Sequence, residues 1–253
     1  HVIFNVSTTA LLLPFVKQLV KLSCVVIKDQ KKEEKLTLKY VDDRLLSTPP
    51  VALMQVKKEI DYMIELVEDN TRMSFVAIDS RSLEYDEKIR KNEEVIDFTN
   101  STLTQFLIKL SANVEESDEK AIGSYFHVLN DLERIGDHGK TLAKRARKLF
   151  EDEIDFSPEA KEELLVLSEM VNKASARSLE ALEKNDKAIA AEAIELCRAV
   201  KQFQKEIRKN HITRLNERRC DPVAGFMMLE LLINMKRVAD HSKNISQLVQ
   251  GTF

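Results

Sequence analysis

The side chains in this sequence with the chemistry to hold something are carboxylates in pairs. Glu133 and Asp137 stand four residues apart within Leu129 to Ala143, and Glu93 and Asp97 stand four apart in an earlier segment. Around a helix of about 100° per residue, Val128, Leu129, Gly136, Gly139, Leu142, Ala143 and Ala146 share one apolar face with Leu132. Glu133 and Asp137 lie on its margin. In the earlier segment Ile89, Ile96, Leu103, Leu107 and Leu110 form the apolar face, with Asn92, Glu93 and Asn100 inside it and Asp97 beside it. Like charges at i, i+4 repel by roughly 0.2–0.5 kcal/mol in water, and a polar group on a buried stripe costs several kcal/mol unless paired or ligated. The compensation comes either from Lys88, Arg90, Arg134 and Lys140 or from a bound cation. Four carboxylates converging between two antiparallel helices are a hard, oxygen-rich donor set, suited to iron, manganese, magnesium or, less well, zinc.

The pattern recurs. Glu-Arg-Ile-Gly-Asp-His at 133–138 is answered by Lys-Arg-Val-Ala-Asp-His at 236–241, an offset of 103 residues (240 − 137). Phe98 to Leu110 aligns with Phe203 to Leu215 at an offset of 105 (203 − 98). A period this long exceeds a solenoid unit and reads as a duplicated three-helix bundle. The second copy is altered: Lys236 replaces Glu133, Arg198 and Gln202 stand at the places of Glu93 and Asp97, and only Asp240 keeps its carboxylate. One competent site, in the first repeat, is therefore expected, with Asp240 paired to Lys236 or Arg198. His138 and His241 project about 100° from Asp137 around the helix, a position for solvated or interfacial rings. No nucleophile–base spacing and no Gly-rich phosphate loop occurs, so the sequence proposes no catalytic and no cofactor-binding residues.

The Glu-Arg-Ile-Gly-Asp-His run and its second copy resemble the signature of the PhoU family of phosphate regulators. That resemblance implies tandem three-helix bundles whose Glu/Asp-x-x-x-Asp motifs bind multinuclear metal, often iron. It carries over to Glu93, Asp97, Glu133 and Asp137 as metal ligands.

The elements that must position these residues are long helices. The 253 residues include no Trp, five Gly and five Pro, with 32% charged and 43% hydrophobic residues, a composition of long helices with a sizeable core. A net charge of −3 without a strongly basic face gives no reason to expect nucleic acid as a partner, and none is expected. Cys24, Cys197 and Cys220 lack disulfide or metal spacing and fit a reducing compartment. Breakers and caps mark six helices: from Ala52 after Pro49-Pro50, from Ser82–Tyr85 to about Leu110, from near Ser117 to about Phe150, from Ser157-Pro158 to Lys184, from Lys187 to Arg214, and from Asp221-Pro222 onward.

Upstream, Val2 to Val16 carries no charge and is followed by Lys17, Lys21 and the apolar Cys24 to Ile27. The run is shorter than the ~20 residues that span a bilayer, and reads as the end of a transmembrane helix whose start lies before His1; a buried helix is the alternative. It is similar to the last membrane segment of bacterial sodium/phosphate cotransporters, which often carry a PhoU-like domain, although their Gln-Ser-Ser-Ser repeats are absent here. That resemblance implies the bacterial inner membrane, with residues after about 28 cytoplasmic by the positive-inside rule. The expected organisation is all-α: a membrane segment at 1–27, a charged linker at 28–51 in which Leu36 to Val41 is a short strand or an extended stretch, and three-helix repeats at 52–155 and 156–253. The expected function is regulation of a sodium-dependent phosphate transporter, with its membrane portion, its sodium and phosphate, and a second copy in a homodimer as partners. A metal-binding helical adaptor of phosphate signalling is the rival.

Overall fold

Three of the six helices of the second unit start where a side chain caps them. The computed structural model describes Phe4 and residues 36–80, 82–112, 114 and 116–251, and divides into two compact units, His1–Thr37 and Leu38–Phe253. Apart from Phe4, the segment 1–27 expected to reach a membrane lies outside the described residues. In the second unit α1 (Pro49–Ser80), α2 (Asp86–Ser111) and α3 (Glu116–Glu151) form one three-helix repeat. The other consists of α4 (Pro158–Lys184), α5 (Lys187–Asn216) and α6 (Pro222–Gln250). Ser157 accepts the Ala160 N–H at the start of α4, Asp186 accepts those of Ala188 and Ile189 at α5, and Asp221 accepts those of Val223 and Ala224 at α6. Each side chain satisfies donors that a helix N-terminus leaves open. Asn185 closes α4 in the left-handed region at φ 49°, which asparagine tolerates better than most residues.

One boundary differs from expectation, and one open alternative resolves. Helix α1 includes Pro49 and Pro50, because proline in a first turn has no N–H to leave unpaired and its φ already suits the helix. The alternating Leu36–Val41 forms no strand. Instead the backbone N–H groups of Lys39 and Tyr40 donate to the two oxygens of Glu59 at 3.2 and 2.8 Å, and Glu59 is 1% exposed. A carboxylate on α1 thus takes the donors that a neighbouring strand would have used.

Helices α3 and α6 lie against each other antiparallel. Asp131 meets His241 and Asn244, His138 meets Asn234, and Arg145 meets Glu230. Helices α1 and α2 pack on α3, α4 and α5 pack on α6, and α1 also meets α4. One apolar cluster runs through both repeats, from Met63, Leu107 and Leu132 to Leu167, Val200 and Leu232. Asn92, polar on the apolar stripe of α2, is answered inside the fold: its Nδ2 donates to Asn70 Oδ1 at 2.9 Å, and Asn70 Nδ2 donates to the Ile89 carbonyl at 3.2 Å.

Because the core is continuous, damage at its centre should act on both repeats. Leu132→Ala, at a fully buried α3 position, is expected to cost about 2–5 kcal/mol in a single urea transition. Ile108→Ala, at a position 58% exposed, should cost under ~0.5 kcal/mol. Two separated transitions in the Leu132 variant would show that the repeats fold independently.

Candidate metal centre

Glu93 of α2 is 1% exposed, and neither of its carboxylate oxygens has a hydrogen-bond partner. The room for it comes from Gly136 on α3. A Cβ there would stand 2.9 Å from Glu93 Oε2 and 3.3 Å from Ile96 Cδ1, so a larger residue would have to push the carboxylate away. Around this buried acid, Glu93, Asp97 and Asp137 each offer an oxygen, and these oxygens lie within 4.8 Å of one another. Glu133, one turn before Asp137, falls outside that group and flanks it.

Neighbouring cations compensate only partly. Lys140 Nζ stands 3.9 Å from Glu93 Oε1 and 3.9 Å from Asp137 Oδ1. Arg134 lies 3.5 Å from Glu133 and 3.9 Å from Asp137. At 3.9 Å these contacts are too long for hydrogen bonds, and both cations are about half exposed, at 47% and 51%. Arg90 and Lys88 serve other acids: Arg90 pairs with Glu87 and Glu94, and Lys88 with Asp69. Burial therefore dominates at Glu93. It pushes the carboxyl up to about 8, with Lys140 opposing and the charges of Asp97 and Asp137 adding to the rise. Burial likewise holds Asp97 and Glu133 above the ordinary carboxylate range.

Two orphaned buried oxygens, a glycine that makes space for them, and an all-carboxylate donor set fit a hard metal ion. Glu93, Asp97 and Asp137 would hold it, with Glu133 at the edge. When bound, such an ion supplies the close positive charge that Lys140 and Arg134 leave at a distance. In the second repeat Asp240 is tied to Lys236 and Arg198 pairs with Glu195, so Lys236 is the partner that Asp240 takes. His138 and His241 sit at the α3–α6 interface, each bonded to the opposite helix; of solvated and interfacial, they are interfacial. Sequence reasoning placed Gly136 on the apolar face without a role for it. The available signal was its cost, since glycine inside a helix loses about 1 kcal/mol relative to alanine.

Comparison with known proteins adds the family. The family model described as "PhoU domain" matches residues 60–146 and 164–249. A "Phosphate-specific transport system accessory protein PhoU homolog" from Pseudomonas putida is 25% identical over 202 residues, 78% of this chain and 77% of that protein. Its namesake from Synechocystis is 27% identical over 210 residues, covering 78% and 88%. The crystal structure of PhoU from Pseudomonas aeruginosa superimposes with a TM-score of 0.72 at 24% identity, over 78% of this chain and 94% of that one, a likeness of fold. These findings correct the expectation of a cotransporter fragment in the bacterial inner membrane with a cytoplasmic domain after residue 28. The relatives are accessory proteins matched over most of their own length. Among the described residues, no helix is long and apolar enough to cross a membrane.

The buried acid sets a pH dependence for the metal-free protein. Because the fold raises Glu93 from 4.5 to about 8, the stability linked to its protonated form is complete below about pH 4.5 and lost as pH rises through about 8. Glu93→Gln keeps the shape and cannot ionise. In chelator it should raise the Tm by several degrees at pH 8.5 and leave it unchanged at pH 4.5, about 1 kcal/mol being worth roughly 2–4 °C at this size. A shift of the same size at both pH values would show that Glu93 is not a strained buried acid.

Proposed function

We propose, from the premise that this chain belongs to the PhoU family, that it is a metal-holding accessory regulator of phosphate transport. The observation that carries the reading is the double family match, which takes in both three-helix repeats and so most of the second unit. The relatives' names, "Phosphate-specific transport system accessory protein", favour a phosphate transport system as its partner, and an accessory role over attachment to a sodium-coupled one. The carboxylate cluster supports a regulatory part for metal. An ion held by Glu93 and Asp97 of α2 and Asp137 of α3 would cross-link these two helices and stiffen the surface that α2 presents to a partner. Because α3 also packs on α6, the cross-linked pair would be anchored to the second repeat. The chain acts in this reading through its surfaces and not through bond chemistry.

Metal content and transport control test the two halves separately. Elemental mass spectrometry on the purified protein should find near-stoichiometric iron or manganese, or less readily magnesium or zinc, lost in a Glu93→Gln, Asp137→Asn double variant that still melts cooperatively. In a strain lacking the protein, phosphate uptake under phosphate-replete conditions should rise. The unmodified gene should restore control and the double variant should restore it poorly. Unchanged uptake on deletion would sink the regulatory role, and metal retained by the double variant would sink the carboxylate site.

A further inference from the structure

The two repeats meet across a local pseudo-two-fold axis, and the axis runs between two imidazoles. His138 and His241 are equivalent positions of the duplication at the 103-residue offset, and so are Asp131 and Asn234. The contacts are reciprocal in the same sense: His138 Nδ1 lies 2.9 Å from Asn234 Oδ1 and His241 Nδ1 lies 2.8 Å from Asp131 Oδ1. The rings stack with centroids 5.8 Å apart and an interplanar angle of 26°. This is the isologous pattern of a two-fold dimer, written within one chain.

The hydrogen bonds determine which nitrogen of each ring is free. Asn234 Nδ2 donates to the Glu230 carbonyl at 2.8 Å, which fixes the amide so that Oδ1 faces His138 and must accept. Asp131 Oδ1 accepts from His241 and also from Asn244 Nδ2 at 3.2 Å. Both rings therefore carry their proton on Nδ1 and keep a lone pair on Nε2, and neither Nε2 has a hydrogen bond among the described residues. A two-fold that exchanges antiparallel helices lying side by side maps each face of the pair onto itself, so the two bare nitrogens share one face.

We propose that His138 and His241 form a transition-metal site at the repeat interface, taking Zn2+ or another imidazole-seeking divalent ion through the two Nε2 atoms, with water completing the shell. An Nδ1–H donated to a carboxylate or amide oxygen is the outer-shell arrangement that orients metal-binding histidines. With metal–nitrogen bonds of about 2.0–2.1 Å, two imidazoles at a tetrahedral angle have centroids about 5 Å apart, against 5.8 Å here, and ligation would turn the two rings until their in-plane lone pairs meet. Burial, the largest influence, favours the neutral ring of His138, its bond to Asn234 opposes that, and the nearby charges of Asp137 and Arg237 act in opposite senses. The site differs in donor type from the carboxylate cluster and would bridge the two repeats where that cluster joins two helices of one.

Zn2+ titrated calorimetrically into the full chain is the test. Binding should weaken at least about tenfold in His138→Gln and in His241→Gln, fall by about 10–100-fold in Asp131→Ala, which removes the oxygen that orients His241, and persist in the exposed-surface variant Ile108→Ala. Unchanged Zn2+ affinity in both histidine variants, or loss in only one of them, would overturn the site. As a measurement that needs no variant, one equivalent of Cu2+, which favours imidazole over carboxylate, should give an electron paramagnetic resonance spectrum split by two imidazole nitrogens. A spectrum of oxygen ligation alone would overturn it equally.

Discussion

The antiparallel seam between α3 and α6 is the contact on which the rest of the molecule rests. Leu129, Leu132, Ile135 and Leu142 on one side and Leu231, Leu232, Met235 and Val238 on the other are buried in a single apolar cluster. Side chains of this size gain about 1.5–3 kcal/mol each from full burial, far more than the exposed ion pairs of the surface, whose median worth is under about 1 kcal/mol. Every outer helix docks on one of these two. The polar rungs of the seam contribute alignment instead, because Asp131–His241, His138–Asn234 and Arg145–Glu230 are satisfied only in this register. A slide of one helix by a turn would bury those groups unpaired at about 1–3 kcal/mol each, so they fix what the apolar residues alone would leave loose.

Duplication has left the two halves with the same scaffold and different polar contents. The family-matched segments begin at 60 and 164, an offset of 104 (164 − 60), which makes Glu59 and Glu163 equivalent. Glu59 binds the backbone of the segment leading into α1, whereas Glu163 binds the Arg214 guanidinium and the Asn210 amide. Each carboxylate is inside the bundle because something donates to it. The same logic separates the two acidic motifs. In the second repeat Lys236 lies one turn from Asp240 and neutralises it. In the first, Glu93 faces Gly136 with no donor within hydrogen-bonding distance, and its acidity is displaced for that reason. Repeat two answers its half-buried carboxylate with a side chain, and repeat one leaves a buried carboxyl without one.

Local chemistry was legible in the chain. The caps Ser157, Asp186 and Asp221, the prolines that follow Ser157 and Asp221, and the Asn185-Asp186 turn act through neighbours one to four residues away, and their effect does not depend on the rest of the fold. The apolar faces and the repeat followed from periodicity. The extended stretch at Leu36–Val41 was not legible, since its alternation suits a strand or a linker, and only the distant Glu59 decides which donors it uses.

What the sequence determined by itself was therefore the helical class, the six segments, the duplication and the loss of carboxylates from the second copy. All of these are set by residue type and short spacing. Tertiary structure alone decided which acids are buried and which charges meet. The helical projection put Glu93, Asp97, Glu133 and Asp137 within or at the edge of apolar faces, but the crossing of α2 over α3 at Gly136 selects Glu93, Asp97 and Asp137 as the convergent group and leaves Glu133 at its flank. Likewise nothing within a single helix could show that His138 stacks on His241. The reason is common to both: helical periodicity sets a residue's angle about its own axis, while burial, proton affinity and contact depend on where a second axis passes, which long-range packing determines.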